Sequence, residues 1–92
     1  MPVLDVTYQL TENDVTIESN IPVSNDYVFY TTGTFGGGTV ELQASPDKGV
    51  TWLTVEQLSS SGRLVRYLGA GEIVRMSLVD STSPTVITGL RY

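Results

Sequence analysis

The chain has 92 residues, of which 40% are hydrophobic and 16% charged, with nine glycines, four prolines and neither Cys nor His; this length holds one domain around one modest core. Without Cys and His, thiol nucleophiles, histidine general bases, disulfides and the usual zinc ligand sets are excluded, and no apolar run approaches the roughly 18 residues of a membrane span. Ten acidic against five basic residues leave a net charge of −5, a field that repels phosphate backbones and anionic lipid, so neither nucleic acid nor membrane is an expected partner.

Apolar and polar residues alternate along nearly the whole chain, β-branched and aromatic residues gather in short runs, and Gly, Pro, Asn, Asp and Ser separate the runs. The expected fold is all-β, an antiparallel sandwich or small barrel of about eight strands in a single domain over 1–92, with jelly-roll and immunoglobulin-like topologies both open. The opening MPVLDVTYQL has no basic segment and reaches Asp5 before any long apolar stretch, so no secretory leader is expected. A first strand at Leu4–Leu10 places Leu4, Val6, Tyr8 and Leu10 on one face. Thr11–Asn13 reads as a hairpin turn into a second strand, Asp14–Glu18, and Asn20–Asp26, with Pro22, as a longer connection. The third strand, Tyr27–Thr32, puts Val28 and Tyr30 on one face and Tyr27 and Phe29 on the other. Apolar residues on both sides suit a strand covered twice, and core packing is favoured over an aromatic platform for sugars.

Thr32–Thr39 carries Gly33 and Gly36-Gly37-Gly38 around Phe35, directly before a strand at Thr39–Ala44 with Val40, Leu42 and Ala44 inward. A phosphate-binding loop needs a following helix, so this stretch reads as a bulged connection with Phe35 anchored on the core and with glycines free to act as a contact surface.

Ser45-Pro46-Asp47-Lys48-Gly49-Val50-Thr51-Trp52 fits S-x-D-x-G-x-T-W. Pro46 presets φ, Asp47 accepts neighbouring backbone N–H groups, Gly49 supplies positive φ, Thr51 restarts the strand and Trp52 covers the turn. The pattern resembles the Asp-box of sialidases, where the box is peripheral to catalysis and recurs on a propeller too large for this chain, so one copy implies a stabilised hairpin and no catalytic residue.

Strands at Thr51–Val55, Leu64–Leu68, Glu72–Val79 and Thr85–Tyr92 complete the set, joined by Ser59–Gly62 and the tight turn Gly69-Ala70-Gly71. In the seventh, Val74, Met76 and Leu78 point inward, while Ile73 and Val79 on the outer parity suggest cover from a neighbour. Residues 1–62 hold eight acids and Lys48, a charge of −7, whereas 63–92 hold four Arg against Glu72 and Asp80, a charge of +2. Arg63, Arg75 and Arg91 are expected to share one outer face, positioned to grip carboxylates across an interface. The acids lie near turns in no calcium-loop pattern, so no metal or other cofactor is expected.

The run Tyr30–Trp52, followed by Leu68-Gly-Ala-Gly-Glu-Ile-Val-Arg, resembles small all-β structural proteins of tailed bacteriophages. The resemblance implies a non-enzymatic virion component assembled in the host cytoplasm, most plausibly a capsid decoration or cement protein bound to the major capsid protein or other virion subunits. It also implies a homo-oligomer, with a trimer favoured. On that reading the interface residues are Phe35, Gly36, Gly37 and Gly38 together with Arg63, Arg75 and Arg91, and outer apolar residues such as Ile73, Val79, Tyr27 or Phe29 are buried between copies. A tail- or fibre-associated adaptor and a small carbohydrate-binding module are the alternatives.

Overall fold

A computed structural model describes residues 4–92; the N-terminal end of the 1–92 domain, and with it part of the leader expectation, lies outside the described residues. Eight strands form, β1 (Asp5–Leu10), β2 (Ser19–Asn20), β3 (Asn25–Thr34), β4 (Thr39–Ser45), β5 (Leu53–Leu58), β6 (Gly62–Leu68), β7 (Ile73–Val79) and β8 (Thr85–Arg91). They make two antiparallel four-stranded sheets packed as a sandwich, sheet A in the order β1-β8-β3-β6 and sheet B in the order β2-β7-β4-β5.

The pairs β1 with β8, β2 with β7, β3 with β6 and β4 with β5 are those of one long hairpin folded at the β4–β5 turn. Rolling that hairpin adds the pairs β3 with β8 and β4 with β7 and divides the strands between the sheets. This is the jelly-roll arrangement, which resolves the topology that alternation left open.

Between the sheets lie Tyr27, Phe29, Val40, Leu42, Val74, Met76, Leu78, Val86 and Leu90, all essentially without solvent exposure, with Leu4, Val6 and Tyr8 packed partly against them. The expected inward sets of β1, β4 and β7 are therefore those observed. Burying such side chains stabilises by about 1.5–3 kcal/mol each, most of which offsets chain entropy.

Three expectations are corrected. Thr11–Asn13 does not close a hairpin, because β1 pairs with β8 and the chain crosses to the other sheet. There Asn13 fastens the Ser81 turn, its Nδ2 donating to Ser81 O at 3.2 Å and its Oδ1 accepting from Ser81 N at 2.9 Å. Asp14–Glu18 is not a regular strand: only Val15 bridges to Ser77, and the two-residue β2 follows. The segment still runs along β7, with Thr16 N donating to Met76 O at 2.8 Å and Leu78 N to Asp14 O at 2.9 Å, but Met76 N donates to the Thr16 hydroxyl at 2.9 Å. A side chain thus takes a ladder position that backbone would fill. Finally, Tyr27 and Phe29 are 0% exposed and belong to the core, so they are not outer residues for a partner; the outer side of β3 is Val28 and Tyr30.

Candidate functional site

The motif residues meet at the tip of the rolled hairpin. Ser45, fully buried, donates from Oγ to Asp47 Oδ1 at 2.8 Å and accepts Gly49 N at 2.7 Å, while Asp47 Oδ1 also accepts Thr51 N at 2.7 Å. The Thr51 backbone N–H, then the Thr51 and Ser45 side chains, hold the Asp47 carboxyl below its usual range. Gly49 takes φ 91°, as its place in the motif requires, and Lys48 precedes it at φ 61°. The Trp52 ring lies over the turn, Cζ2 falling 3.7 Å from where a Gly49 Cβ would stand. Thr51 does not restart the strand; β5 begins at Leu53. The Ser45 hydroxyl and the Asp47 carboxylate are thus both engaged in closing the turn.

From this tip a polar chain runs over the outer face of sheet B. The Arg75 guanidinium stacks 4.0 Å from the Trp52 ring centroid and its Nε donates to Gln43 Oε1 at 2.8 Å. Gln43 Nε2 donates to Glu41 Oε1 at 3.0 Å, and the Thr54 hydroxyl donates to the same oxygen at 3.4 Å. Arg75 is consumed by its own sheet. The three arginines consequently do not share one face: Arg75 is on β7 of sheet B, whereas Arg63 and Arg91 are on β6 and β8 of sheet A. Side-chain parity gave the outward direction correctly but carries no information about which sheet a strand joins.

The glycine loop connects β3 to β4 across the sandwich. Phe35 is buried, as expected; Gly38 is buried too, and a Cβ there would lie 2.6 Å from that of Ser81. Thr82 N donates to Gly36 O at 3.0 Å, and a Gly36 Cβ would strike the Thr82 carbonyl. Gly36 and Gly38 allow a close approach to the Ser81–Thr82 turn, whereas Gly37 between them faces solvent.

The outer face of sheet A is built differently. In its central rows Val28 lies between Val65 of β6 and Arg91 of β8, and Tyr30 lies between Arg63 of β6 and Gly89 of β8. Gly89 leaves room for the Tyr30 ring to lie across β8, and the Tyr30 hydroxyl hydrogen-bonds Thr7 Oγ1 of β1 at 2.6 Å. Val28, Tyr30, Arg63 and Arg91 line a concavity of about 430 Å³. Beside it Val65, Tyr67 and Ile87 are 51%, 67% and 41% exposed. Among the described residues neither Arg63 nor Arg91 forms an ion pair or donates a side-chain hydrogen bond, whereas Arg66 pairs with Glu56 across the sheets. This face presents apolar surface together with two cations that have no ion-pair partner among the described residues.

Sequence reasoning placed Arg63 and Arg91 outward but missed Val28, Tyr30 and Gly89 as their companions. The shared parity of Val28 and Tyr30 was the available signal; Gly89 had none. No protein-family model matches this chain, and no curated protein matches it.

Proposed function

We propose that this chain is a structural subunit of a tailed-bacteriophage virion, a decoration or cement protein that docks on the capsid shell through the outer face of sheet A. Jelly rolls serve in shells, lectins and enzymes alike, so the fold alone does not decide. The observation that carries the reading is the contrast between the two outer faces. Sheet B ties its outward Arg75 to Trp52 and Gln43, and Gln43 on to Glu41, whereas sheet A leaves Arg63 and Arg91 without an ion pair among the described residues, beside the exposed Val65, Tyr67 and Ile87. The resemblance of Tyr30–Trp52 to small phage structural proteins supplies the setting. Contacts of this modest size become tight when a symmetric shell repeats them.

The test is quantitative mass spectrometry of particles purified from cells that express the wild-type chain or Val65→Asp. A cement subunit is present at a ratio near that of the major shell protein, and the variant, folded by circular dichroism, is lost from particles at least about tenfold. A trace ratio would mark a tail component, and complete absence of the wild-type chain would overturn the virion reading.

A further inference from the structure

We infer that Arg63 and Arg91 act as a carboxylate clamp, taking an aspartate or glutamate side chain from an acidic, apolar-flanked segment of the protein on which this chain docks. The inference rests on the docking reading above and names its partner chemistry. The two residues flank β3 from opposite sides, Arg63 opposite Tyr30 and Arg91 opposite Val28. At strand spacings of about 4.8 Å their Cα positions are separated by roughly 10 Å across the sheet and about 7 Å along it. Extended arginine side chains are long enough to span most of that separation, and both residues line the same concavity together with Val28 and Tyr30. The Tyr30 ring is fastened to Thr7, which holds this part of the lining in place.

Asp5 is the cross-strand neighbour of Arg91, yet it lies on the β1 side and makes no ion pair with it. Asp26, the neighbour of Tyr67, makes none with Arg63. Both cations are therefore available, and a planar guanidinium matches a carboxylate with two parallel hydrogen bonds. The surroundings select the carrier. Val65, Tyr67 and Ile87 need apolar cover, which a peptide segment brings and a polyphosphate does not, and the chain's net charge of −5 opposes a polyanion more strongly than a single carboxylate.

The isolated protein tests the clamp by NMR titration with three probes: the capped peptides acetyl-Val-Glu-Val-amide and acetyl-Val-Gln-Val-amide, and inorganic phosphate. The glutamate peptide is expected to shift the Arg63 and Arg91 Nε–H and Tyr30 ring signals, saturating at about fivefold lower concentration than the glutamine peptide. The double variant Arg63→Gln/Arg91→Gln, with an otherwise unchanged spectrum, loses that preference. Equal binding of the two peptides, shifts confined to other residues, or phosphate matching the glutamate peptide would each overturn the clamp. Because no particle is needed, the two readings fail separately. Shell-level copy number without the glutamate preference removes the clamp and keeps the docking; the preference without incorporation into particles keeps the clamp and removes the virion setting.

Discussion

The fold alters the ionisation of Asp47, and it does so within that residue's own turn. Its carboxylate accepts Thr51 N at 2.7 Å and the Ser45 hydroxyl at 2.8 Å, and these donors favour the charged form. The folded pKa lies below the unfolded one. The resulting stability is complete above the unfolded carboxylate range and is lost as pH falls through the folded value. Asp47→Asn removes that dependence because its side-chain oxygen does not titrate. Urea unfolding between pH 7 and pH 2 is expected to show a lower midpoint for the variant at neutral pH and convergence of the two proteins in acid. Parallel curves over the whole range would mean that Asp47 does not couple the turn to protonation.

Within the strands, β8 shows how one absent side chain organises a face. A Cβ on Gly89 would stand 2.5 Å from both Tyr30 Cζ and Val6 O, closer than such atoms approach. Gly89→Ala is therefore expected to destabilise by about 1–3 kcal/mol through overpacking and to free the Tyr30 ring from Thr7. Tyr30→Phe, which loses only the hydroxyl, is expected to cost about 1 kcal/mol. Denaturant unfolding of the two variants checks the order; an alanine variant as stable as wild type would show that the ring is not seated on β8. This arrangement also marks how far the sequence was legible. Alternation identified Val40, Leu42 and Ala44, or Val74, Met76 and Leu78, because an inward row is a local property of one strand. It located Ser45–Trp52 because a turn is closed by its own residues. It failed at Asp14–Glu18, where the partner of Met76 N is a threonine hydroxyl, and at Arg75, because sheet membership is set by pairing between distant segments. Gly89 was silent for the same reason: the ring that needs its space comes from another strand.

At the scale of the whole molecule, the rolled hairpin makes almost every pairing long-range. Leu10 meets Val86 and Asp5 meets Arg91 across nearly the full chain, and Tyr30 meets Arg63 across half of the hairpin. Apart from β4 with β5, no two strands consecutive in sequence are paired. Loop-closure entropy falls on each of the other pairs before their contacts form, so refolding is expected to take milliseconds to seconds, as for sandwiches of this kind.

The tip is the exception, and it is the natural place for pairing to begin. Ser45, Asp47, Gly49 and Thr51 close the turn through contacts no more than four residues apart, and β4 then presents Val40, Leu42 and Ala44 to β7 in the register that continues the roll. Ser45 is buried within that turn, so Ser45→Ala leaves Gly49 N without its acceptor at an expected cost of about 1–3 kcal/mol. If pairing starts at the tip, that loss is already present in the folding transition state. Stopped-flow refolding of Ser45→Ala then slows by most of the equilibrium change while unfolding scarcely alters. The opposite partition, faster unfolding with unchanged refolding, would place closure of the tip after the sheets have met and would make the Ser45–Asp47 network a late lock on the roll.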